Sequence, residues 1–394
     1  MLIGLVGKPS CGKSTFFKAA TLAEVLIANY PFTTIKANHG IGYVKIDCID
    51  TEFRTQCQPR TGFCLQHKRF VPVDLMDVAG LIEGASEGKG LGNQFLDDLR
   101  QADVFIHIVD VSGTTDAEGK ITKGYNPVKD IKMLENELDL WYLGILNKVW
   151  KSFARTLQQK KENFAKAIAV QFSGLKVDED QVKKILLKLK YNPEKPSEWT
   201  DEQLKNFSHE LRHLTKPMII AANKIDLRDA KENLEKLKQA YPELLIVPCS
   251  ADSELALREA NKAGLIEYIS GENSFKIIKK LNPKQEQALE TIKKNVLDIY
   301  QSTGVQEVMN TAVFSLLGYL PIFPASPHKL QDSEGRTLPD CYLLAPNSTA
   351  LDFAFKLHTD IGNNFVKAID ARTGKAVGKE YKLKFRDALE IATR

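Results

Sequence analysis

The sequence predicts an α/β chain: an open parallel sheet with a phosphate-binding loop, split by a long helical insertion and followed by a small α+β module. Three observations carry this. Residues 1–6 form an apolar run of strand length that enters Gly7-Lys8-Pro9-Ser10-Cys11-Gly12-Lys13-Ser14-Thr15, which matches G-x-x-x-x-G-K-[ST] at every fixed position, and residues 16–20 read as a helix. A strand, glycine loop and helix in that order aims backbone N–H groups and a helix N-terminus at one anion. Next, apolar residues recur three or four apart from Ile131 to Phe172, with Gly144 the only glycine of that stretch. Finally, strand-length apolar runs return after Pro217, so the helical stretch interrupts an α/β domain.

A length of 394 residues allows two or three domains with ample core. Apolar content of 43% and charged content of 26% place the chain among ordinary globular proteins. Six scattered cysteines (11, 48, 57, 64, 249 and 341) form no dense secreted framework, which predicts reduced thiols and a cytoplasmic location. No apolar run reaches the length of a membrane span. The chain begins in its first strand, so no cleaved leader is expected.

Taken in order, Tyr30-Pro31-Phe32-Thr33-Thr34-Ile35 reads as a loop, and residues 42–47 and 70–76 read as strands. Between those strands Cys57, Cys64 and His67 are spaced C-x6-C-x2-H, with Cys48 nine residues before Cys57. The tight cysteine pair usual in zinc sites is missing, so a metal-free hairpin is expected. The second strand ends in Asp77-Val78-Ala79-Gly80. Residues 81–93 then hold Gly84, Gly88, Gly90 and Gly92, which favours a loop that changes conformation. Residues 95–100 resume a helix, and 104–110 form a buried strand in which His107 reads as a core histidine.

The insertion spans 118–214. Its first helix, if continuous to Phe172, projects on the order of 60 Å as a coiled coil or helical hairpin. Val182, Ile185, Leu186 and Leu189 predict a return helix, and Leu204, Phe207, Leu211 and Leu214 a third. From Lys148 to Lys195 there are twelve Lys/Arg against five Asp/Glu; with a net charge of +4, the rest of the chain is near −3. This local surplus is either a solvated face or a contact for a polyanion such as RNA. Residues 1–117 and 215–279 make the α/β domain, 280–318 a helical connector, and 319–394 the terminal module.

Four loops follow apolar strands: 7–15, 77–80, 223–226 and 250–251. In an open parallel sheet, loops beyond the carboxyl ends of strands converge on one ligand. Lys13 suits the β- and γ-phosphates of a nucleotide, the Ser14 hydroxyl suits Mg²⁺, Asp77 holds that metal directly or through water, and the Gly80 N–H senses the γ-phosphate. In Asn223-Lys224-Ile225-Asp226 the carboxylate of Asp226 matches the adjacent N1–H and amine of guanine, while adenine leaves it unpaired. Asn223 and Lys224 brace base and phosphate loop. After Ser250, the Ala251 amide is expected at the guanine O6.

These stretches, with Tyr30-Pro31-Phe32-Thr33-Thr34, the run from Asp77 to Ala85, Gly90-Leu91-Gly92-Asn93 and Asn126-Pro127-Val128-Lys129-Asp130, resemble the Obg-related translation-factor GTPases, specifically the YchF-like branch with a C-terminal TGS domain. The resemblance covers nearly the whole chain. It implies a P-loop GTPase domain with a helical coiled-coil insertion and a β-grasp, ubiquitin-like TGS domain. It also implies GTP as substrate with Mg²⁺, and ribosomes or RNA as partners, with neither membrane nor DNA. By resemblance Thr34 closes on Mg²⁺ and the γ-phosphate, with Thr33 as the alternative. Many relatives have a degenerate base-reading motif and prefer ATP; here the intact Asp226 motif implies GTP. Ser10 stands where relatives often carry the asparagine tied to potassium activation, and Ser86 where some carry a histidine. Leu81 occupies the position of the water-positioning glutamine of Ras-like enzymes and cannot hydrogen-bond, which implies slow intrinsic turnover. Glu83 and Glu87 are solvated acids or water-orienting groups. Two other readings stay open: an ATPase of the same fold, and an RNA- or ribosome-binding protein with GTP as a non-hydrolysed structural ligand.

Overall fold

The computed structural model describes residues 1–21, 39–78, 84, 100–332 and 334–394. The expectations for Thr33, Thr34, Gly80, Leu81, Glu83, Ser86 and Glu87, and for the helix over 95–99, lie outside those residues.

The central sheet is built from β1 (Leu2–Val6), β2 (His39–Asp47), β3 (Phe63–Leu65), β4 (Lys68–Asp77), β5 (Val104–Asp110), β6 (Met218–Asn223) and β7 (Ile246–Pro248). Its order is β2-β4-β1-β5-β6-β7, with β3 added beside the first half of β4. Every residue of β5 and β6 is buried, as expected for parallel strands covered on both faces. Register then fixes the functional edge. Leu5 is level with Asp77, Val6 with His107 and Asp110 with Asn223, so the loops leaving β1, β4, β5 and β6 open on the same side.

The helix α1 (Lys13–Thr21) covers one face with α9 (Val305–Asn310): Phe16, Ala19, Val308 and Met309 share a core with Leu5, Val44 and Ile106. Asn310 also pairs with both backbone groups of Lys45 (2.8 and 2.9 Å). That bond pair occupies an edge strand that would otherwise offer free N–H and C=O groups.

The insertion comprises α2 (Val128–Lys160), α3 (Phe164–Gln171), α4 (Glu179–Leu189) and α5 (Asp201–Thr215). The helix expected to run to Phe172 stops earlier. Lys161 takes a left-handed conformation (φ 52°), and Asn163 restarts the chain by accepting from the Lys166 N–H. At 33 residues α2 is about 50 Å long. Ile131, Leu134, Leu138 and Trp141 lie in one continuous core with Val6, Phe105, Val109 and Ile220 of the sheet. Further along, Trp150, Phe164, Trp199 and Phe207 pack as an aromatic cluster with centroids 5.2–6.5 Å apart. Of the apolar positions that predicted the next two helices, Val182, Ile185, Leu204, Phe207 and Leu211 are buried, Leu186 and Leu189 half-buried, and Leu214 at the end of its helix exposed.

The sheet is completed by α6 (Ala230–Ala240) and α7 (Ala251–Lys262). A two-stranded ribbon of β8 (Ile266–Glu267) and β9 (Lys276–Ile277) and the helix α8 (Pro283–Ile292) follow. The five-stranded C-terminal sheet is built from β10 (Leu320–Pro324), β11 (Tyr342–Leu344), β12 (Phe365–Asp370), β13 (Ala376–Val377) and β14 (Ala388–Thr393) in the order β11-β10-β14-β12-β13. β10 and β14 run parallel, and a helix (Ala350–Leu357) packs Phe353 against Ile322, Ala368 and Leu389. Among the described residues no helix is long and apolar enough to cross a membrane.

Candidate functional site

The edge where β1, β4, β5 and β6 end is cross-braced by three side chains. Asn223 donates from Nδ2 to the Cys11 carbonyl (2.9 Å) and accepts the Ala251 N–H on Oδ1 (3.0 Å), tying the phosphate loop to the loop after β7. Gly12 has φ +94°, and a Cβ there would stand 2.2 Å from Asn223 Nδ2, so this glycine is required by both its backbone and its neighbour. The Ala251 N–H, expected at a guanine O6, is thus already engaged by Asn223.

Lys224 reaches back to the Ser10 carbonyl (2.8 Å) and to Asp110 Oδ2 (2.7 Å). Asp110 also takes the Thr115 hydroxyl (2.6 Å) and the Ser112 N–H (3.0 Å). Burial works against its ionisation, yet the bonds from Lys224, Ser112 and Thr115 hold its carboxyl below the ordinary range. The sequence reading passed over Asp110; its signal was its place at the carboxyl end of an apolar strand, level with Asn223.

At the mouth of the loop, Lys13 pairs with Asp77, and Ser14 Oγ lies 3.4 Å from Asp77 Oδ2. Ser10 and Ser14 are exposed, Pro9 and Thr15 half-buried. Gly7 is buried, and a Cβ there would meet the Ile108 carbonyl at 2.6 Å. Cys11 is fully buried, which pushes its thiol up to about 11; its carbonyl rather than its sulfur serves the loop. Asp226 accepts the Ser250 hydroxyl (2.7 Å) on one oxygen and lines a groove of about 570 Å³ with Leu227, Ser253, Lys284 and Gln287.

Lys8 turns away from this mouth. Its ammonium, 1% exposed, pairs with Asp130 Oδ2 (2.9 Å), donates to the Thr115 carbonyl (2.8 Å) and lies 4.0 Å from the Tyr125 ring centre. Tyr125 in turn donates to Asp130 Oδ1 (2.8 Å). Asp130 belongs to the first turn of α2, so the insertion is bonded directly to the phosphate loop. Burial, against the pull of Lys8, holds the Asp130 carboxyl above its ordinary range. A second tie follows about two turns later: the Gly84 N–H, in the stretch after Asp77, donates to Glu137 Oε1 (2.7 Å). Neither Asp130 nor Glu137 was singled out as a contact from sequence.

Residues 2–148 match the model described as 50S ribosome-binding GTPase, residues 221–326 the Obg-like GTPase YGR210-like, G4 motif-containing domain, and residues 333–393 the TGS domain. A GTP-binding protein of Methanocaldococcus jannaschii is 47% identical over 395 residues, covering 100% of this chain and 99% of its own. The chain belongs to the Obg-like, YchF-type GTPase family. A crystal structure of a GTP-binding protein from Pyrococcus horikoshii OT3 superposes over the full length of both chains with a TM-score of 0.80 at 39% identity. The ribosome-binding ATPase YchF of Bacillus subtilis is 29% identical, covering 93% of this chain and 87% of its own. The resemblance carried by residues 7–15 and 77–85 is borne out, as is the P-loop GTPase fold with its C-terminal TGS domain.

Proposed function

We propose that this chain is a cytoplasmic switch that binds GTP, hydrolyses it slowly on its own, and is activated on ribosomes. The observation that carries this reading is the position of Asn223, whose single amide joins the phosphate loop to the Ser250–Ala251 loop beside Asp226. Those two bonds support reading the phosphate residues and the base residues as one site.

Lys13 supplies the positive charge for the β- and γ-phosphates, with the N–H groups of residues 7–15 around it. Ser14 and Asp77 offer two hard oxygen donors 3.4 Å apart, a set that fits Mg²⁺. Bound there, Mg²⁺ would offset charge developing on the transferred phosphoryl group. Thr34 and the Gly80 N–H would close from the loops outside the described residues. The Asp226 carboxylate, held by Ser250, favours guanine over adenine because an unpaired desolvated carboxylate costs about 2–5 kcal/mol.

The ribosome enters through the Bacillus subtilis relative named for binding it, the TGS domain, and the insertion. All twelve basic side chains from Lys148 to Lys195 are exposed, including Lys148, Lys151 and Arg155 along α2. That surface suits an RNA backbone. The same relative is named an ATPase, which supports ATP as the second reading.

Competition between labelled GTP and ATP, with Mg²⁺-dependent turnover of each, tests the proposal. GTP should win, Asp226→Asn should erase the preference, and Lys13→Ala should abolish turnover. Preference for ATP overturns the guanine assignment. Tight GTP binding without turnover, with or without ribosomes, puts the structural-ligand reading in front.

A further inference from the structure

The hairpin between β2 and β4 carries a cluster that the nucleotide site does not use. The Sγ atoms of Cys48, Cys57 and Cys64 and a carboxylate oxygen of Asp50 all lie within 4.8 Å of one another. We propose that Cys48, Cys57, Cys64 and Asp50 form a structural site for a thiophilic divalent cation, zinc by chemistry, beneath the docking surface of the C-terminal module.

The size of the cage is right. Cys48 and Cys57 sulfurs are 3.5 Å apart, and Cys64 Sγ is 4.0 Å from Asp50 Oδ2. A tetrahedral zinc with Zn–S bonds of about 2.3 Å requires ligand atoms roughly 3.5–4 Å apart. The backbone already gathers the ligands. The Cys48 N–H donates to the His67 carbonyl (2.8 Å), and the Cys57 N–H to Asp50 Oδ2 (3.1 Å). Gln66 and His67 turn the chain through left-handed conformations (φ 46° and 63°), which brings Cys64 back over Cys48.

The electrostatics ask for a cation. Asp50 is fully buried, and a carboxylate there is costly without a positive partner. His67, the ligand suggested by spacing, instead holds Asp50 Oδ1 from outside at 3.0 Å, as an outer partner that orients a metal-bound carboxylate. Fully buried Arg69 places its guanidinium beside Cys57, and its Nε has no hydrogen-bond partner among the described residues. That fixed charge offsets the excess negative charge of three thiolates and a carboxylate around one divalent ion. Three sulfurs select zinc over magnesium or calcium. Four protein ligands leave no open position, so the role is structural.

The site would stiffen a specific platform. The Gln58 N–H donates to the Thr337 carbonyl (2.8 Å), the Arg60 N–H to Pro339 (2.9 Å), and Arg69 Nη2 to Pro339 (2.8 Å). Cys57 and Cys64 thus stand on the chain segments that hold the C-terminal module.

The test is metal content of the full chain, purified reduced without chelator and reconstituted with zinc. About one zinc per chain is expected, falling at least fivefold in Cys57→Ser and in Cys64→Ser, while Cys341→Ala, a buried thiol outside the cluster, keeps it. Cobalt substitution of the wild type gives a readout that no variant's folding can confound: tetrahedral thiolate–cobalt bands that saturate at one equivalent. Metal-free wild type after reconstitution, with the three thiols freely titratable or Cys48 and Cys57 joined as a disulfide, overturns the proposal. So does cobalt bound without thiolate charge-transfer bands.

Discussion

The helical insertion and the C-terminal module both share a core with the central sheet but differ in the ion pairs that tie them to it. The insertion shares the sheet's own core, and its ion pair to the phosphate loop, Lys8 with Asp130, is 1% exposed on both sides. The C-terminal module has a core of its own around Ile322 and Phe353, and it also places Phe323, Leu338, Cys341 and Ala388 in the core of the sheet. Beside the buried Arg69, its ion pairs to the hairpin are more open than Lys8 with Asp130: Arg60 with Asp340 (2.7 Å), and Arg386 (2.6 Å) with Arg372 (2.5 Å) on Glu52. A buried pair cannot be broken without stranding a charge, whereas an exposed pair exchanges cheaply with water. The insertion is therefore tied to the phosphate loop by a pair that cannot be opened cheaply, while the pairs on Glu52 and Arg60 can.

Breaking the buried pair should have the largest effect. Lys8→Met leaves Asp130 uncompensated and should cost about 3–5 kcal/mol in denaturant unfolding, with GTP affinity falling too. Combining it with Asp130→Leu should recover part of that loss; a fully additive pair would show that the two side chains do not act together.

The shared core also carries an acid-sensitive group. Burial, with the nearby charge of Lys8, lowers the His107 imidazole to about 3, and its Nδ1 has no hydrogen-bond partner among the described residues. Because the folded value is depressed, the neutral histidine's contribution is complete above about 6.5 and drains as pH falls toward 3. His107→Leu should remove about 2–3 kcal/mol of the stability lost between pH 7 and pH 4. Urea midpoints across that range measure it.

The smallest effect belongs to the module. Glu52→Gln should lower stability by about 1 kcal/mol or less and leave GTP turnover unchanged. A turnover defect as large as that of Lys8→Met would erase the contrast between the two attachments.

The sequence made the parallel sheet and the loops at its edge readable because apolar runs and fixed motif spacing are local signals. β5 matches its expected bounds, and Gly12, Lys13, Asp77, Asn223 and Asp226 meet at one edge because strand register leaves them little choice. What escaped was pairing at long range. Lys8 reads as a phosphate-loop residue until Asp130, more than a hundred positions away, is seen to take its charge. Glu137 reads as one acid on a helix until Gly84 is found against it. Asp50 was hidden because thiol spacing drew attention to His67, while a three-residue turn after Cys48 puts the carboxylate among the sulfurs. The break after Lys160 lacks any proline or glycine, and its one local mark is the capping residue Asn163.

The most direct measurement is ribosome-stimulated GTP hydrolysis by the full chain beside Glu137→Leu, which removes the acceptor for the Gly84 N–H while keeping a helix-forming side chain at this buried position. If the insertion carries the ribosome's signal to the loop after Asp77, basal turnover stays the same and stimulation falls about tenfold or more in the variant. Equal stimulation of both proteins would contradict that coupling.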